Sequence, residues 1–262
     1  PDEALLRNPH RRALDFVRNS HHRRFPQHGG APDRDGGKPD ADAHPPAHGT
    51  AAAVGGPRIS DRARAAGSAN TLWQQNGEIH ACNTDGVGLV NDMLRQHITL
   101  HDSRILLFGA GGATRGVMPA LLQAGCAHLH IVNRSEDKAH ALAAQAAALP
   151  GPQAQVTASA FSALQGTWDI IVNATSSSLS GQTLPLPDNL FRTNSVAYDM
   201  LYTADGDTPF LQQARNGGAR QTSDGLGMLV YQGAERFRIW NQIEPDAAPV
   251  LTALRMELTR SV

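Results

Sequence analysis

Cysteine, net charge and long apolar stretches are all scarce in this sequence. The 262 residues include two cysteines, Cys82 and Cys126, which are too few for a disulfide framework. No Cys/His cluster has the spacing of a zinc site, so we expect no metal. We interpret both cysteines as small buried apolar residues, and their number fits a reducing, cytoplasmic setting best.

The charge and the hydropathy pattern exclude two classes of partner. The formal net charge is −1, which gives no reason to expect nucleic acid or an anionic membrane surface. No apolar run approaches the ~20 residues of a membrane span, and no signal peptide is visible at the start. We therefore expect a small-molecule ligand, no membrane or nucleic-acid partner, and a monomer or homodimer.

The first 58 residues differ in composition from the rest of the chain. They hold 8 of the 16 prolines and 6 of the 12 histidines, and only seven are Leu, Ile, Val, Phe, Met, Trp or Tyr. A segment with so few large apolar residues cannot bury enough surface to offset the entropy of ordering. We predict that residues 1–58 are disordered or poorly packed.

From Ile59 onwards, strand and helix patterns alternate. The patterns predict helices at about 60–66, 86–95, 136–148, 209–216, 228–241 and 245–259, and strands at 70–73, 78–82, 104–108, 128–132, 168–173 and 195–200. Asn76-Gly77 is typical of a hairpin turn between the first two strands. The alternation through 104–225 predicts a Rossmann-like α/β fold, a doubly wound parallel sheet.

A glycine-rich turn follows the apolar run that ends at Phe108. Gly109 is free to adopt dihedrals that other residues avoid, and Gly111 has no side chain to keep a diphosphate away from the backbone. A helix from Ala113 would point free N–H groups at that anion. The alternative is the strand–helix turn of any α/β protein, because Gly-x-Gly-x-x-Thr lacks the third glycine of the usual fingerprint.

The end of the next predicted strand indicates which dinucleotide would bind. NAD sites usually place Asp or Glu there, whereas this chain has Asn133, Arg134 and Ser135. A guanidinium pairs with a 2′-phosphate, and the flanking polar side chains can hydrogen-bond it. We predict NADP as the cofactor. The alternative is an exposed loop arginine without a ligand.

From about Ile59 to the C-terminus, the sequence resembles the shikimate dehydrogenase family. Seven motifs occur in the order of the family. They are Ala66–Leu72, Asn83–Gly88, Gly109–Ala113, Asn133–Ser135, Asn173–Ser176, Tyr198–Tyr202 and Asp224–Gln232. The resemblance implies reversible reduction of 3-dehydroshikimate to shikimate by NADPH, in aromatic amino-acid biosynthesis.

The resemblance also implies roles for individual residues. Asn70 and Asp85 would bind substrate hydroxyls, Gln232 would do so from a facing helix, and Tyr202 would close the pocket. Asp85 is the candidate catalytic residue. The residues assigned to the cofactor are Gly109, Ala110, Gly111, Gly112, Ala113, Asn133, Arg134, Ser135, Lys138, Met200 and Gly225.

Taken alone, the same residue types also allow simpler structural roles. Asp85 precedes a predicted helix and is typical of a helix N-cap. Gln232 and Asn70 are typical of polar residues at the edge of a core, and Tyr202 of a packing residue. An amide both donates and accepts hydrogen bonds, which suits a polyhydroxylated ring.

The family's first two motifs are missing from this chain. They are a Ser-x-Ser segment that binds the substrate carboxylate and an Asn-Val-Thr-x-Pro-x-Lys segment whose lysine donates and accepts the proton. The chain has two lysines, Lys38 outside any such motif and Lys138 in the cofactor domain. An ordinary Asp is deprotonated at neutral pH, so Asp85 alone is a poor replacement. We therefore expect impaired activity.

We hypothesise that residues 1–58 are read out of frame. Their Arg, Pro, His, Ala and Gly bias is what shifted GC-rich codons give, and Asn8-Pro9 resembles the start of the first missing motif. The coding DNA decides, because the hypothesis requires a frame that restores both motifs upstream of Ile59. A diverged leader is the alternative.

The resemblance divides the chain into three parts. Residues 1–58 would be an aberrant segment, 59–90 and 236–262 a smaller, incomplete α/β substrate domain, and 91–235 the Rossmann-like NADP-binding domain. The alternative functions are a non-catalytic NADP-binding protein and a quinate/shikimate dehydrogenase. A relative of glutamyl-tRNA reductase is disfavoured by the neutral charge.

Overall fold

The computed structural model describes residues 58–149, 154–177 and 181–260. The prediction that residues 1–58 are disordered or poorly packed falls, apart from Arg58, on residues that lie outside the described part. Two sheets organise the described chain, one of three strands and one of six. Within that described part, no helix is long and apolar enough to cross a membrane.

The smaller sheet is built around a hairpin. It contains β1 (Arg58–Ile59), β2 (Thr71–Gln75) and β3 (Glu78–Cys82), with β3 in the centre, parallel to β1 and antiparallel to β2. Asn76 and Gly77 both have positive φ, 53° and 80°, as a two-residue hairpin turn requires. The predicted hairpin is therefore confirmed.

The larger sheet is parallel throughout and has the order β6-β5-β4-β7-β8-β9. This is the order of a Rossmann fold, so the predicted fold class is confirmed. Its strands are β4 (Arg104–Phe108), β5 (His128–Val132), β6 (Gln155–Ser159), β7 (Ile170–Asn173), β8 (Val196–Asp199) and β9 (Gln221–Ser223). The inner strands are apolar because helices cover both faces of the sheet.

Seven α-helices connect these strands in the described chain. They are α1 (Asp61–Ala66), α2 (Asp85–Arg95), α3 (Gly112–Gln123), α4 (Glu136–Ala147), α5 (Pro209–Asn216), α6 (Leu226–Asn241) and α7 (Ala247–Arg260). A short 3₁₀ turn at Phe161–Ala163 follows β6. The predicted helices are all present, with ends displaced by at most two residues.

Helix α2 lies in tight contact with both α3 and α6. A Cβ added at Gly86 would be 2.6 Å from the Cβ of Ala120 in α3. One added at Gly88 would be 2.7 Å from the carbonyl oxygen of Met228 in α6. Glycine at these two positions lets the backbones approach closely, so both flanking helices are held against α2.

Two histidines on strand β5, His128 and His130, make the stability of the fold sensitive to acid. The Oγ1 of Thr157 lies 2.7 Å from both His128 Nε2 and His130 Nδ1, and the Trp168 ring stacks on His130. Burial, and then the charges of neighbouring His128, His140 and Arg104, together lower the pKa of His130 to about 4. The folded protein therefore keeps this ring neutral.

We expect stability to fall as the pH drops from about 6.5 towards 4. The folded-state pKa of His130 is below the ordinary value of 6.5, so the unfolded chain binds the proton first. This contribution is fully present above pH ~6.5 and is lost below it. The urea concentration at the midpoint of unfolding, measured at several pH values, should fall as the pH drops. His130→Gln should make this fall smaller. Exposed His101 provides the control; an equal flattening by His101→Gln would contradict this assignment.

Candidate functional site

The glycine turn after β4 has the backbone geometry of an anion site. Gly109 has φ 104°, and a Cβ there would lie 3.1 Å from the carbonyl oxygen of Ala174. A side chain at Gly111 or Gly112 would meet no atom within 4 Å, so open space faces the turn. The turn is therefore shaped by Gly109 and left accessible at the next two glycines.

Helix α3 begins at this turn, and the first N–H groups of a helix have no acceptor within the helix itself. Its N-cap is Gly111, which offers no side-chain acceptor. The hydroxyl of buried Thr114 donates to the carbonyl oxygen of Gly109 at 2.8 Å and ties the turn to the first helical turn. Thr114 occupies the position of the missing third glycine, a role that the sequence pattern did not reveal. The open turn and free N–H groups fit a diphosphate.

The residues predicted to select NADP lie at the end of β5. Arg134 and Ser135 are exposed, and Asn133 Nδ2 donates to the carbonyl oxygen of Ser135 at 3.0 Å. Lys138 is exposed in the first turn of α4. Strands β4 and β5 are parallel neighbours, so these cations share the sheet edge with the glycine turn. The residues present fit a 2′-phosphate at this edge.

Two further predicted cofactor residues meet at the end of β8. The N–H of Gly225 donates to the carbonyl oxygen of Leu201 at 2.9 Å. A Cβ at Gly225 would lie 2.1 Å from the carbonyl oxygen of Met200, so only glycine fits. Half-buried Tyr202 follows directly in the loop after β8. The structure therefore brings Met200, Gly225 and Tyr202 to one edge of the sheet.

Three predicted substrate residues come together between α2 and α6. Asn70 Nδ2 donates to Asp85 Oδ1 at 2.7 Å, and it lies 3.5 Å from Gln232 Oε1. The Asn70 Oδ1 atom accepts from the N–H and the hydroxyl of Thr84, at 3.0 and 3.1 Å. These bonds fix which end of the amide faces Asp85. Residues 162 positions apart in sequence thus form one polar cluster.

Sequence comparison identifies the family. The sequence model described as "Shikimate / quinate 5-dehydrogenase" matches residues 92–181, and that of the "Shikimate 5'-dehydrogenase C-terminal domain" matches residues 225–255. A shikimate dehydrogenase (NADP(+)) of Bordetella petrii is 52% identical over 208 residues, covering 78% of this chain and 72% of that protein. The chain belongs to the shikimate dehydrogenase family.

Solved structures of similar proteins agree with this assignment. An Ael1 enzyme from Pseudomonas putida is 41% identical, with a TM-score of 0.69 over 76% of this chain and 72% of that one. The shikimate 5-dehydrogenase of Thermus thermophilus, solved in complex with NADP(H) and shikimate, is 31% identical with a TM-score of 0.64, covering 76% and 72% of the two chains.

In this member of the shikimate dehydrogenase family, Asp85 is not the N-cap of α2. Thr84 holds the N-cap position without a side-chain capping bond, and Asp85 is the first helical residue. Its Oδ2 would lie 2.8 Å from a Cβ at Gly116 in α3. The N-cap interpretation is therefore wrong. The Asp85 carboxylate instead contacts Asn70 on one side and α3 on the other.

A buried carboxylate holds the ends of β7 and β8 together. Asp199 Oδ1 accepts from Asn173 Nδ2 at 3.2 Å and from the N–H of Leu201 at 3.0 Å. Its Oδ2 accepts from the hydroxyl of Thr208 at 2.6 Å. The sequence pattern does not indicate this role of Asp199, because its partners come from three separate segments. These bonds shape the loop that carries Met200 and Tyr202.

A second buried network joins α2 to β8 and α6. The Tyr198 hydroxyl donates to Asp92 Oδ2 at 2.8 Å and accepts from the N–H of Met228 at 3.3 Å. Arg95 and Gln96 also donate to the Asp92 carboxylate. Burial, and then the negative charge of Asp92, raise the pKa of Tyr198 well above its ordinary value. The phenol therefore remains a donor to Asp92.

Arg236 was also missed by the sequence analysis. It lies one helical turn after Gln232 on α6, is 4% exposed, and donates through Nη2 to Gln232 Oε1 at 3.1 Å. Burial lowers its pKa, and the nearby carboxylate of Asp85 opposes that shift. A basic residue four positions after a polar one on a buried helix face was the available signal. Within the described ranges, no group of three His, Cys, Asp or Glu has metal-site geometry.

Proposed function

We propose that this chain catalyses the reversible, NADPH-dependent reduction of 3-dehydroshikimate to shikimate. The observation that carries the proposal is the cluster of Asn70, Asp85 and Gln232. Asp85 contacts Gly116 of α3, which lies about one helical turn beyond the glycine turn that fits the diphosphate. Polar groups for a hydroxylated ring thus adjoin the helix that would hold the cofactor.

NADP would supply the hydride acceptor and, when reduced, the hydride donor. Backbone N–H groups at Gly111 and Gly112 would bind its diphosphate, and Arg134 its 2′-phosphate. Met200 and Gly225 would line the nicotinamide side. Family membership and relatives described as NADP(+)-dependent support this choice of cofactor.

The polar cluster would orient the substrate and handle its proton. Asn70 and Gln232 each offer an amide to ring hydroxyls, and Asp85 would accept the proton of the reacting hydroxyl in shikimate oxidation. Tyr202 would close the pocket. No lysine of the family motif stands beside this cluster in the described chain, since Lys138 belongs to α4. We propose that turnover is slow for this reason.

We propose that residues 59–90 and 236–262 form the substrate domain and 91–235 the cofactor domain. Helices α2 and α6 cross these limits and would carry the pocket between the domains. A cytoplasmic location and a monomeric or homodimeric state stay predictions.

One experiment distinguishes the two alternative functions from the proposed one. A non-catalytic protein would bind NADPH without turnover, and a quinate/shikimate dehydrogenase would oxidise both acids. The family description names both substrates, which favours testing them together. NADPH binding is followed by nicotinamide fluorescence, and NADP reduction by absorbance with shikimate or quinate. We expect binding and slow, shikimate-dependent reduction; NADPH binding with neither reduction would favour the first alternative.

Replacement of Arg134 by alanine should weaken NADPH binding by about 10–100-fold and leave NADH binding nearly unchanged. The reason is the loss of charge-assisted hydrogen bonds to the 2′-phosphate, which NADH lacks. Arg192→Ala is the matched control, because Arg192 is an exposed arginine that precedes β8 at the opposite edge of the sheet. Unchanged NADPH affinity in Arg134→Ala would show that Arg134 is not the selector.

A further inference from the structure

Arg236 has an incomplete set of hydrogen bonds for a buried guanidinium. Its Nη2 donates to Gln232, whereas its Nε is buried without a hydrogen-bond partner. Arg236 takes part in no salt bridge among the described residues. It is also only 4% exposed, so water solvates its charge little. A buried donor without an acceptor is costly, so an oxygen atom of a ligand at this place would be stabilising.

The neighbouring arginines are already neutralised. Arg62 and Arg238 both pair with the buried carboxylate of Glu235. Among the residues that the structure describes, Arg236 is thus the cation that remains beside Gln232, with the carboxylate of Asp85 as the nearby charge that favours it. An anionic substrate that enters beside Asp85 needs a positive partner, because two carboxylates in one buried pocket repel each other.

The Arg236 guanidinium and the Gln232 amide are direct neighbours on α6, with Nη2 and Oε1 3.1 Å apart. A ring acid that carries a carboxylate and hydroxyls presents both kinds of group to such a pair. An arginine also forms two parallel hydrogen bonds with a carboxylate, a geometry that a hydroxyl does not offer.

We propose that Arg236 binds the carboxylate of the substrate while Gln232, Asn70 and Asp85 bind its hydroxyls. This inference rests on the proposed function, since it takes a hydroxylated ring acid as the substrate. The contact with Arg236 gives the substrate carboxylate a partner within the described chain. This partner replaces the serine segment that the sequence lacks. Through its bond to Gln232, Arg236 also sets the orientation of that amide.

Calorimetry with two ligands tests the proposal on the full chain in the presence of NADP. The ligands are shikimate and its methyl ester, which keeps the hydroxyls and lacks the negative charge. We expect the unmodified chain to bind shikimate at least about 10-fold more tightly than the ester. Arg236→Gln should weaken shikimate binding by about 10–100-fold and ester binding by less than about 3-fold, and Arg236→Lys should lie between.

Arg238→Gln is the matched control, because Arg238 lies on the same helix and pairs with Glu235. Its shikimate affinity should equal that of the unmodified chain. Equal affinity of the unmodified chain for acid and ester would overturn the proposal without any variant. An equal loss of affinity for shikimate and for its ester in Arg236→Gln would also overturn the proposal. If the unmodified chain binds neither ligand while NADPH still binds, the proposed function itself fails, and this assignment with it.

Discussion

Replacement of Asp85 by asparagine should lower the rate of shikimate-dependent NADP reduction by about 10²–10⁴-fold. Asp85 is the carboxylate of the polar cluster, held by Asn70 Nδ2 at 2.7 Å, and asparagine has the same shape without a proton-accepting charge. The volume beside Gly116 stays filled, so the fold should be retained. NADPH affinity should not change, because the cofactor site is separate from this side chain.

A second readout does not depend on turnover. Loss of the charged acceptor should also weaken shikimate binding by about 10–100-fold, as measured by calorimetry. Asp61→Asn is the control, since Asp61 is likewise the first residue of a helix, and its side chain is fully exposed. Normal rate and normal shikimate affinity in Asp85→Asn would exclude Asp85 from the chemistry.

Replacement of Asp92 by alanine should lower the free energy of unfolding by about 3–5 kcal/mol. The side chain of Asp92 is fully buried and accepts hydrogen bonds from Tyr198, Arg95 and Gln96. Its removal leaves the Tyr198 phenol without its acceptor, leaves the Gln96 amide with Ser223 Oγ alone, and opens a cavity between α2, β8 and α6. Chemical denaturation followed by circular dichroism measures the change.

Two further variants identify the cause of that loss. Asn91→Ala alters an exposed neighbour on the same helix and should change stability by less than about 0.5 kcal/mol. Gly227→Ala should be strongly destabilising with Asp92 intact, because its Cβ would lie 2.0 Å from Asp92 Oδ1. A loss below about 1 kcal/mol in Asp92→Ala would show that the network is not what holds α2 in place.

The sequence predicted the inner strands of the larger sheet but not its two outer strands. The runs of β4, β7 and β8 are almost wholly buried, β5 is buried except at His128 and His130, and each of these strands was predicted. The strands β6 and β9 were missed, since Gln155–Ser159 and Gln221–Ser223 are short and partly polar. Outer strands need less apolar surface, so their signal in a sequence is weak.

The candidate site was only partly predictable for a similar reason. Motifs drew attention to Asn70, Asp85 and Gln232, and the structure brings all three together. Asp92 and Arg236 went unnoticed although both have partners three or four positions away on the same helix, because a sequence does not show that distant elements bury these two side chains. The alternative role of Asp85 as a helix N-cap is wrong, because Thr84 takes that position one residue earlier.

The central claim is an NADP site built from the glycine turn and Arg134. Its most direct test is titration of the full chain with NADPH and, separately, with NADH, followed by nicotinamide fluorescence. We expect saturable NADPH binding that is at least about 10-fold tighter than NADH binding, because the 2′-phosphate adds charge-assisted hydrogen bonds. No binding of either nucleotide, or equal affinity for the two, would contradict it.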